Sequence, residues 1–343
     1  MRAAVLYGRE DLRIQDVEVP RLEPGDLLVR VRSALTCGTD VKVFRRGYHA
    51  RMIVPPALFG HELAGDVAEV GPGVKEFQPG DRVVAANSAP CGVCFYCRRG
   101  QENLCEDLLF NNGAYAEYIR IPARIVARNT YKLPASVSYQ DAALCEPLAC
   151  ALRGLDETGV RAGDTVAVIG LGPIGLMFVK MAKVLGARVI AIGRREVQLQ
   201  HARQMGSDHG LIAGEDTEAL VEQVRALTAG RGADSVIEAV GRPETWEAAV
   251  RLARRGGVVN FFGGCPNGTT VEIDTSLMHY SNLTCMASFH FTPAHVRRAL
   301  EIVTEGGATA RDFVNRVEPL ENLLEVMHHL TSHNGHMKTA IIP

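Results

Sequence analysis

Residues 165–193 read TVAVIGLGPIGLMFVKMAKVLGARVIAIG. The stretch divides into a strand-like run (165–170), a helix-like run (173–185) stopped by Gly186, and a second strand-like run (188–193). At the first junction GLGPIG places glycines at 170, 172 and 175, the spacing G-x-G-x-x-G. A chain with 34 glycines offers chance matches to that string, and a plain strand-to-helix turn would use it too. Its meaning comes from context, because here it closes a strand and opens a helix. Gly170 permits the tight turn, Gly172 lets backbone approach a pyrophosphate, and Gly175 lets the helix pack close to the sheet, with Pro173 and Ile174 between them. The helix N-terminus then faces the phosphates. Downstream, 196–205 reads as a helix ending at Gly206, and 235–240 and 256–264 read as further buried strands. Apolar strands alternating with helices predict a doubly wound parallel sheet, a Rossmann dinucleotide-binding domain, over 151–285.

The remainder has a different rhythm. Residues 1–150 carry short strand-like runs, for example 28–34, 65–71 and 81–87, punctuated by Gly71-Pro72-Gly73 and Pro79-Gly80. The end of the chain adds a helix, 295–306, and a last strand in KTAIIP. A chain of 343 residues is too long for one ordinary core, and α/β with two domains is expected: 1–150 with 286–343, mostly β, and 151–285. The net charge of −2 provides no footprint for a nucleic-acid backbone or an anionic membrane. Arg45-Arg46 and Arg254-Arg255 read as solvated surface. The N-terminus lacks the apolar region of a signal peptide, and glycines, Pro173, Lys180 and Lys183 argue against a membrane span at 165–193. Nine cysteines, an odd count with four clustered, do not suit a secreted disulfide framework, so a reducing, cytoplasmic compartment is expected.

The cluster is Cys91, Cys94, Cys97 and Cys105, spaced C-x2-C-x2-C-x7-C. A small loop with that spacing can wrap four thiolates around one tetrahedral zinc, and a closed shell of this kind leaves no position for substrate. A second set is dispersed: Cys37 in CGTD (37–40), His61 and Glu62 in GHE (60–62), and Glu146 in CEP (145–147). Each is weak alone. Together they form a mixed S/N/O set that suits a catalytic zinc with an exchangeable position. Cys150, Cys265 and Cys285 are expected to be core thiols.

The strand 188–193 ends in Gly193, followed by Arg194 and Arg195, where an NAD site would carry an acid for the ribose 2′-hydroxyl. The missing carboxylate removes a repulsive charge, and two guanidiniums supply bidentate partners for a 2′-phosphate. NADP(H) is therefore the expected cofactor. If the arginines are only surface residues, NAD(H) binds as well.

CGTD, GHE, the four-cysteine segment, Glu146-Pro147 and GLGPIG, in that order along the whole chain, resemble the zinc-dependent medium-chain dehydrogenase/reductase family. Within it the chain looks most like the polyol (sorbitol-type) and threonine dehydrogenase branch, where Glu146 would replace the cysteine of plain alcohol dehydrogenases. The resemblance implies a GroES-like catalytic domain with a Rossmann domain inserted before its C-terminal part. It implies that Cys37 and His61 bind a catalytic zinc, with Glu62 and Glu146 completing the shell directly or through water. Thr39 would pass on the substrate's proton, Asp40 would orient His61, and the four-cysteine segment would hold a structural zinc. It further implies oxidation of a secondary alcohol, a polyol or sugar alcohol first, with threonine or a simple secondary alcohol as alternatives. A non-catalytic zinc and NADPH-binding protein is the reading from another class. A dimer or tetramer is expected, with 282–289 pairing across a two-fold axis. Many relatives carry a histidine shortly after the CGTD segment; Lys42 stands in that neighbourhood here, which leaves the outer end of the relay open.

Overall fold

The apolar runs of the second half form one six-stranded sheet in which all neighbours are parallel. Its order is His209–Ile212, Arg188–Gly193, Thr165–Ile169, Ala233–Glu238, Ala253–Phe261 and Thr284–Met286. Ile190, Ile192, Val236 and Val259 are fully buried, as strands covered on both faces require. The structure is a computed structural model and describes residues 1–49, 51–332 and 337–343. These residues cluster into two units, Met1–Ala149 with Phe291–Pro343, and Cys150–His290.

In the second unit the chain moves outward from Thr165–Ile169 in one direction, then returns to add Ala233–Glu238 on the other side. This makes the carboxyl end of Thr165–Ile169 the topological switch point, where open α/β sheets bind ligands. Gly170 stands there with φ +94°, a left-handed conformation, and a Cβ on it would lie 2.5 Å from Val240 Cγ2. The helix Pro173–Val184 starts three residues later, with Pro173 at its first position and no side-chain cap.

The first unit is built on a seven-stranded, largely antiparallel sheet. Its central strand, Leu27–Leu35, pairs with Glu62–Val70 on one side and Lys338–Ile342 on the other. The registers Leu35↔Glu62 and Leu35↔Ala340 bring the end of one strand to the beginnings of two others. Thr36 and Cys37, His61 and Glu62, and Lys338 are thereby gathered from three distant parts of the sequence. The strand expected at 65–71 runs from Glu62 to Val70, because its pairing with Leu27–Leu35 continues to Leu35↔Glu62, where a buried ion pair takes the place of an apolar side chain. The helix expected at 295–306 runs from Pro293 to Thr304. Cys150, Cys265 and Cys285 are only partly buried, which corrects the expectation of core thiols. No helix among the described residues is long and apolar enough to cross a membrane.

A Cβ at Gly175 would lie 1.8 Å from the carbonyl oxygen of Gly170, a backbone atom that cannot turn aside. Gly175→Ala should therefore push the helix off the sheet. The expected cost is about 1–3 kcal/mol, read as a lower thermal midpoint, together with weaker dinucleotide binding in a fluorescence titration.

Candidate active site

Cys37 is the N-cap of the helix Gly38–Arg46, and its Sγ accepts the Thr39 N–H at 3.4 Å. Asp40, in the first turn, reaches back so that Oδ2 accepts the Cys37 N–H at 3.1 Å, completing a capping box. The other oxygen, Oδ1, lies 3.0 Å from His61 Nδ1. That pair is off the line of a regular hydrogen bond, but neither atom has another partner among the described residues. Metal-bound histidines usually carry a carboxylate on the ring nitrogen away from the metal, so His61 is turned to offer its other nitrogen. Cys37, His61 and Glu62 each present a ligand atom within 4.8 Å of the other two. Thr39 is partly exposed beside them, and Lys42 faces solvent.

The electrostatics favour a cation at this place. Burial pushes the His61 imidazole down, but the Asp40 carboxylate and Cys37 outweigh burial and raise it well above its ordinary value. Burial brings the Glu146 carboxyl up to about 7, with His61 pulling it down and Glu62 pushing it up. Asp40, Glu62 and Glu146 are all buried acids; Lys338 is ion-paired with Glu62 and His61 faces Asp40, while Glu146 has no ion pair among the described residues. A bound divalent cation would balance the remainder, and a sulfur, an imidazole and carboxylates are donors that zinc accepts.

The two acids expected to complete the shell, directly or through water, stand in different places. Glu146 opens the helix Cys145–Thr158 close enough to feel His61 and Glu62, but it does not join the Cys37–His61–Glu62 group. Glu62 does join it, yet both of its oxygens accept hydrogen bonds from Lys338 Nζ, each at 2.7 Å. Lys338 also donates to the Thr36 carbonyl at 2.9 Å and is 3% exposed. The reading from sequence missed Lys338, and it missed Tyr115, whose hydroxyl lies 2.6 Å from Asp40 Oδ2. Burial and the Asp40 carboxylate hold the Tyr115 phenol well above its ordinary value, so it remains a donor. A lone lysine at the head of the apolar run KTAIIP is a faint signal for the first. Nothing local marks the second.

Cys91, Cys94, Cys97 and Cys105 place their sulfurs within 4.8 Å of one another around the short helix Phe95–Arg98. The Cys91–Cys97 and Cys94–Cys105 sulfurs are 4.0 and 3.9 Å apart. That is far beyond a disulfide and near the edge of a zinc–thiolate tetrahedron, about 3.8 Å for bonds of about 2.3 Å. Hydrogen bonds from the Cys97 and Glu106 N–H groups bring the Cys94 thiol down to about 6, while burial takes Cys97 up to about 12. Four thiolates this close repel one another and need a cation to ionise together, so the donor set fits zinc.

In the second unit Gly172 caps the helix Pro173–Val184, and a Cβ on Gly172 would meet nothing within 4 Å. The first-turn N–H groups of Ile174 and Gly175 have no side-chain cap to compete with an incoming phosphate. Gly193 ends its strand where an acid would stand, and Arg194 and Arg195 are exposed after it. Glu196 is taken up by Arg203 at 2.7 Å.

Two family models match in the expected order. The alcohol dehydrogenase GroES-like domain covers residues 23–134 and the zinc-binding dehydrogenase covers 173–305. The chain is 30% identical to sorbitol dehydrogenase of Bacillus subtilis over 100% of this chain and 97% of that one. The chain belongs to the zinc-dependent medium-chain dehydrogenase family, in the polyol and threonine dehydrogenase branch. It is an oxidoreductase, a zinc-dependent alcohol or polyol dehydrogenase working with a nicotinamide cofactor. L-threonine 3-dehydrogenase of Bacillus licheniformis is 38% identical over 74% of this chain and 73% of its own. Among solved structures, a zinc-binding dehydrogenase of Sinorhizobium meliloti 1021 bound to NADP superposes with TM-score 0.91 at 33% identity, over 100% of this chain and 99% of that one. The family's GroES-like and Rossmann domains account for the mixed α/β fold.

Lys338→Met in this dehydrogenase leaves the Glu62 carboxylate buried without its partner, and a loss of about 3–5 kcal/mol is expected. The urea midpoint should fall accordingly. Adding Glu62→Gln to the same protein should recover part of the loss, since the charge left behind is then gone.

Proposed function

We propose that the enzyme reversibly oxidises a secondary alcohol, a polyol or sugar alcohol, to the ketone with NADP(H). The observation that carries this reading is the mixed donor group of Cys37, His61 and Glu62, with Asp40 behind His61 and Glu146 nearby. Such a set leaves room for an exchangeable ligand, which the four-cysteine segment does not. Cys37 and His61 are assigned to a catalytic zinc, Glu62 and Glu146 to its outer or exchanging positions, and the four cysteines to a structural zinc. Zinc, when bound there, supplies Lewis acidity that makes the substrate hydroxyl easier to deprotonate. The nicotinamide supplies the hydride acceptor.

The chain's own residues do the rest. Thr39 Oγ1 accepts the hydroxyl proton and passes its own proton outward. Asp40 holds the His61 ring in one orientation. Glu62, tied to Lys338, keeps its charge fixed while that proton moves. Ile174 and Gly175 N–H groups hold the pyrophosphate, and Arg194 and Arg195 take the 2′-phosphate. The likeness to sorbitol dehydrogenase supports a polyol, and the NADP-bound structural relative supports the choice of cofactor. Threonine is the second reading, supported by the relative of that specificity. The edge strand Thr284–Met286 pairs on one side only among the described residues, which supports a homo-oligomer formed across that edge.

Zinc-loaded enzyme should reduce NADP⁺ with a polyol in a panel that also holds sugars, threonine and simple secondary alcohols. Turnover of threonine alone would replace the polyol reading, and similar kcat/KM for NAD⁺ and NADP⁺ would remove the cofactor preference. Replacing both Arg194 and Arg195 by serine should lower kcat/KM for NADP⁺ about a hundredfold, two charge-assisted hydrogen bonds being lost, and leave NAD⁺ unaffected. Thr39→Val should lower kcat about a hundredfold with both zincs retained by mass spectrometry; normal turnover would end the proton-relay assignment.

A further inference from the structure

We infer that Tyr115 is a positioning residue for the catalytic metal, locking the Cys37 and His61 segments into one geometry through its hydroxyl on Asp40 and its ring on Gly60. The inference rests on the assignment of Cys37 and His61 as zinc ligands. Tyr115 is fully buried. Its segment is laid against the one that leads into His61: Gly113 and Ala114 donate to the Gly60 carbonyl at 2.9 and 3.1 Å, and the Tyr115 N–H donates to the Phe59 carbonyl at 3.0 Å. Gly60 has φ +88°, and a Cβ there would lie 2.5 Å from Tyr115 Cδ2, so the ring fills the space that a side chain would take.

The hydroxyl end does a second job. It lies 2.6 Å from Asp40 Oδ2 and 3.1 Å from the Leu35 carbonyl, two residues before Cys37. Asp40 Oδ2 also accepts the Cys37 N–H, and Oδ1 faces His61 Nδ1. One carboxylate therefore links both ligand segments, and Tyr115 is the side chain that donates a hydrogen bond to it from outside the helix. A carboxylate can turn about its own side-chain bonds. Two donors on Oδ2 stop that rotation and aim Oδ1 at the imidazole, which fixes the nitrogen left for the metal. The hydroxyl bonds to none of the donor atoms of Cys37, His61 or Glu62, so its effect must pass through Asp40.

The test is release of zinc from the holoenzyme to a chromophoric chelator, with the zinc of the four-cysteine segment as internal reference. Tyr115→Phe keeps the ring on Gly60 and removes only the hydroxyl. It should speed loss of the Cys37–His61 zinc about tenfold, the lower range for an outer partner of a metal ligand, and leave the reference zinc unchanged. In an Asp40→Asn background it should add no further acceleration. An unchanged rate, equal acceleration of both zincs, or a full additional effect over Asp40→Asn would each overturn the role. His61→Ala identifies the phase: it should abolish release from that site. If His61→Ala still releases both zincs, the ligand assignment fails instead. Should Tyr115→Phe not fold, 3-fluorotyrosine installed at position 115 carries the test. Its more acidic hydroxyl is the stronger donor and should slow release from the Cys37–His61 site, and a wild-type rate would overturn the proposal.

Discussion

An ion pair between Glu62 and Lys338, almost without access to water, stands where three strands of the first unit meet. Lys338 donates to Glu62 and to the carbonyl of Thr36, so one ammonium group holds the residue before Cys37 and the residue after His61. Burying two charges is costly unless their remaining hydrogen-bonding capacity is met, and here both carboxylate oxygens are engaged. The pair matters to the site because it ties together segments that strand register brings side by side. From the opposite direction Asp40 makes a second tie, linking the Cys37 N–H to the His61 ring. The donor atoms are set between two buried acids, each held by its own partner.

Two of the candidate metal-donor groups among the described residues follow opposite logic. The four thiols near Phe95–Arg98 lie within one short segment and form a closed shell, as a structural zinc requires. The other group mixes sulfur, nitrogen and oxygen, is drawn from separate segments, and sits among buried acids of which Glu62 is paired with Lys338 and Asp40 faces His61. A cation bound there would offset the charge of these acids. In the second unit backbone alone does comparable work at the glycine turn, where Gly170 takes a left-handed conformation and Gly175 admits close approach of the helix.

Much of this is legible in the residues themselves. GLGPIG acts over six residues and its flanking runs are apolar enough to read as strand and helix, so the switch point of the parallel sheet can be placed from them. The four-cysteine segment is equally local. CGTD also holds a further short-range signal: with Cys37 as cap and Asp40 three residues on, it follows the spacing of a capping box. Glu62 is harder. Its neighbour His61 marks it as a ligand candidate, but the strand that begins at Glu62 does not look like one where a charge replaces an apolar residue.

From the sequence alone came the chemistry available to the chain: thiols, imidazole and carboxylates in a fixed order, a turn with G-x-G-x-x-G spacing, and no acid at the end of the strand before Arg194. These are short-range properties, set by residue type and spacing within a turn or two of chain. Tertiary structure alone decided how that chemistry is held. Lys338 reaches Glu62 across 276 residues and Tyr115 reaches Asp40 across 75. The first follows from antiparallel register, the second from the packing of the Tyr115 segment against the residues before His61, and both from the need of buried charge for a partner. Neither leaves a periodic trace along the chain, because the partner is selected only once the tertiary structure has formed.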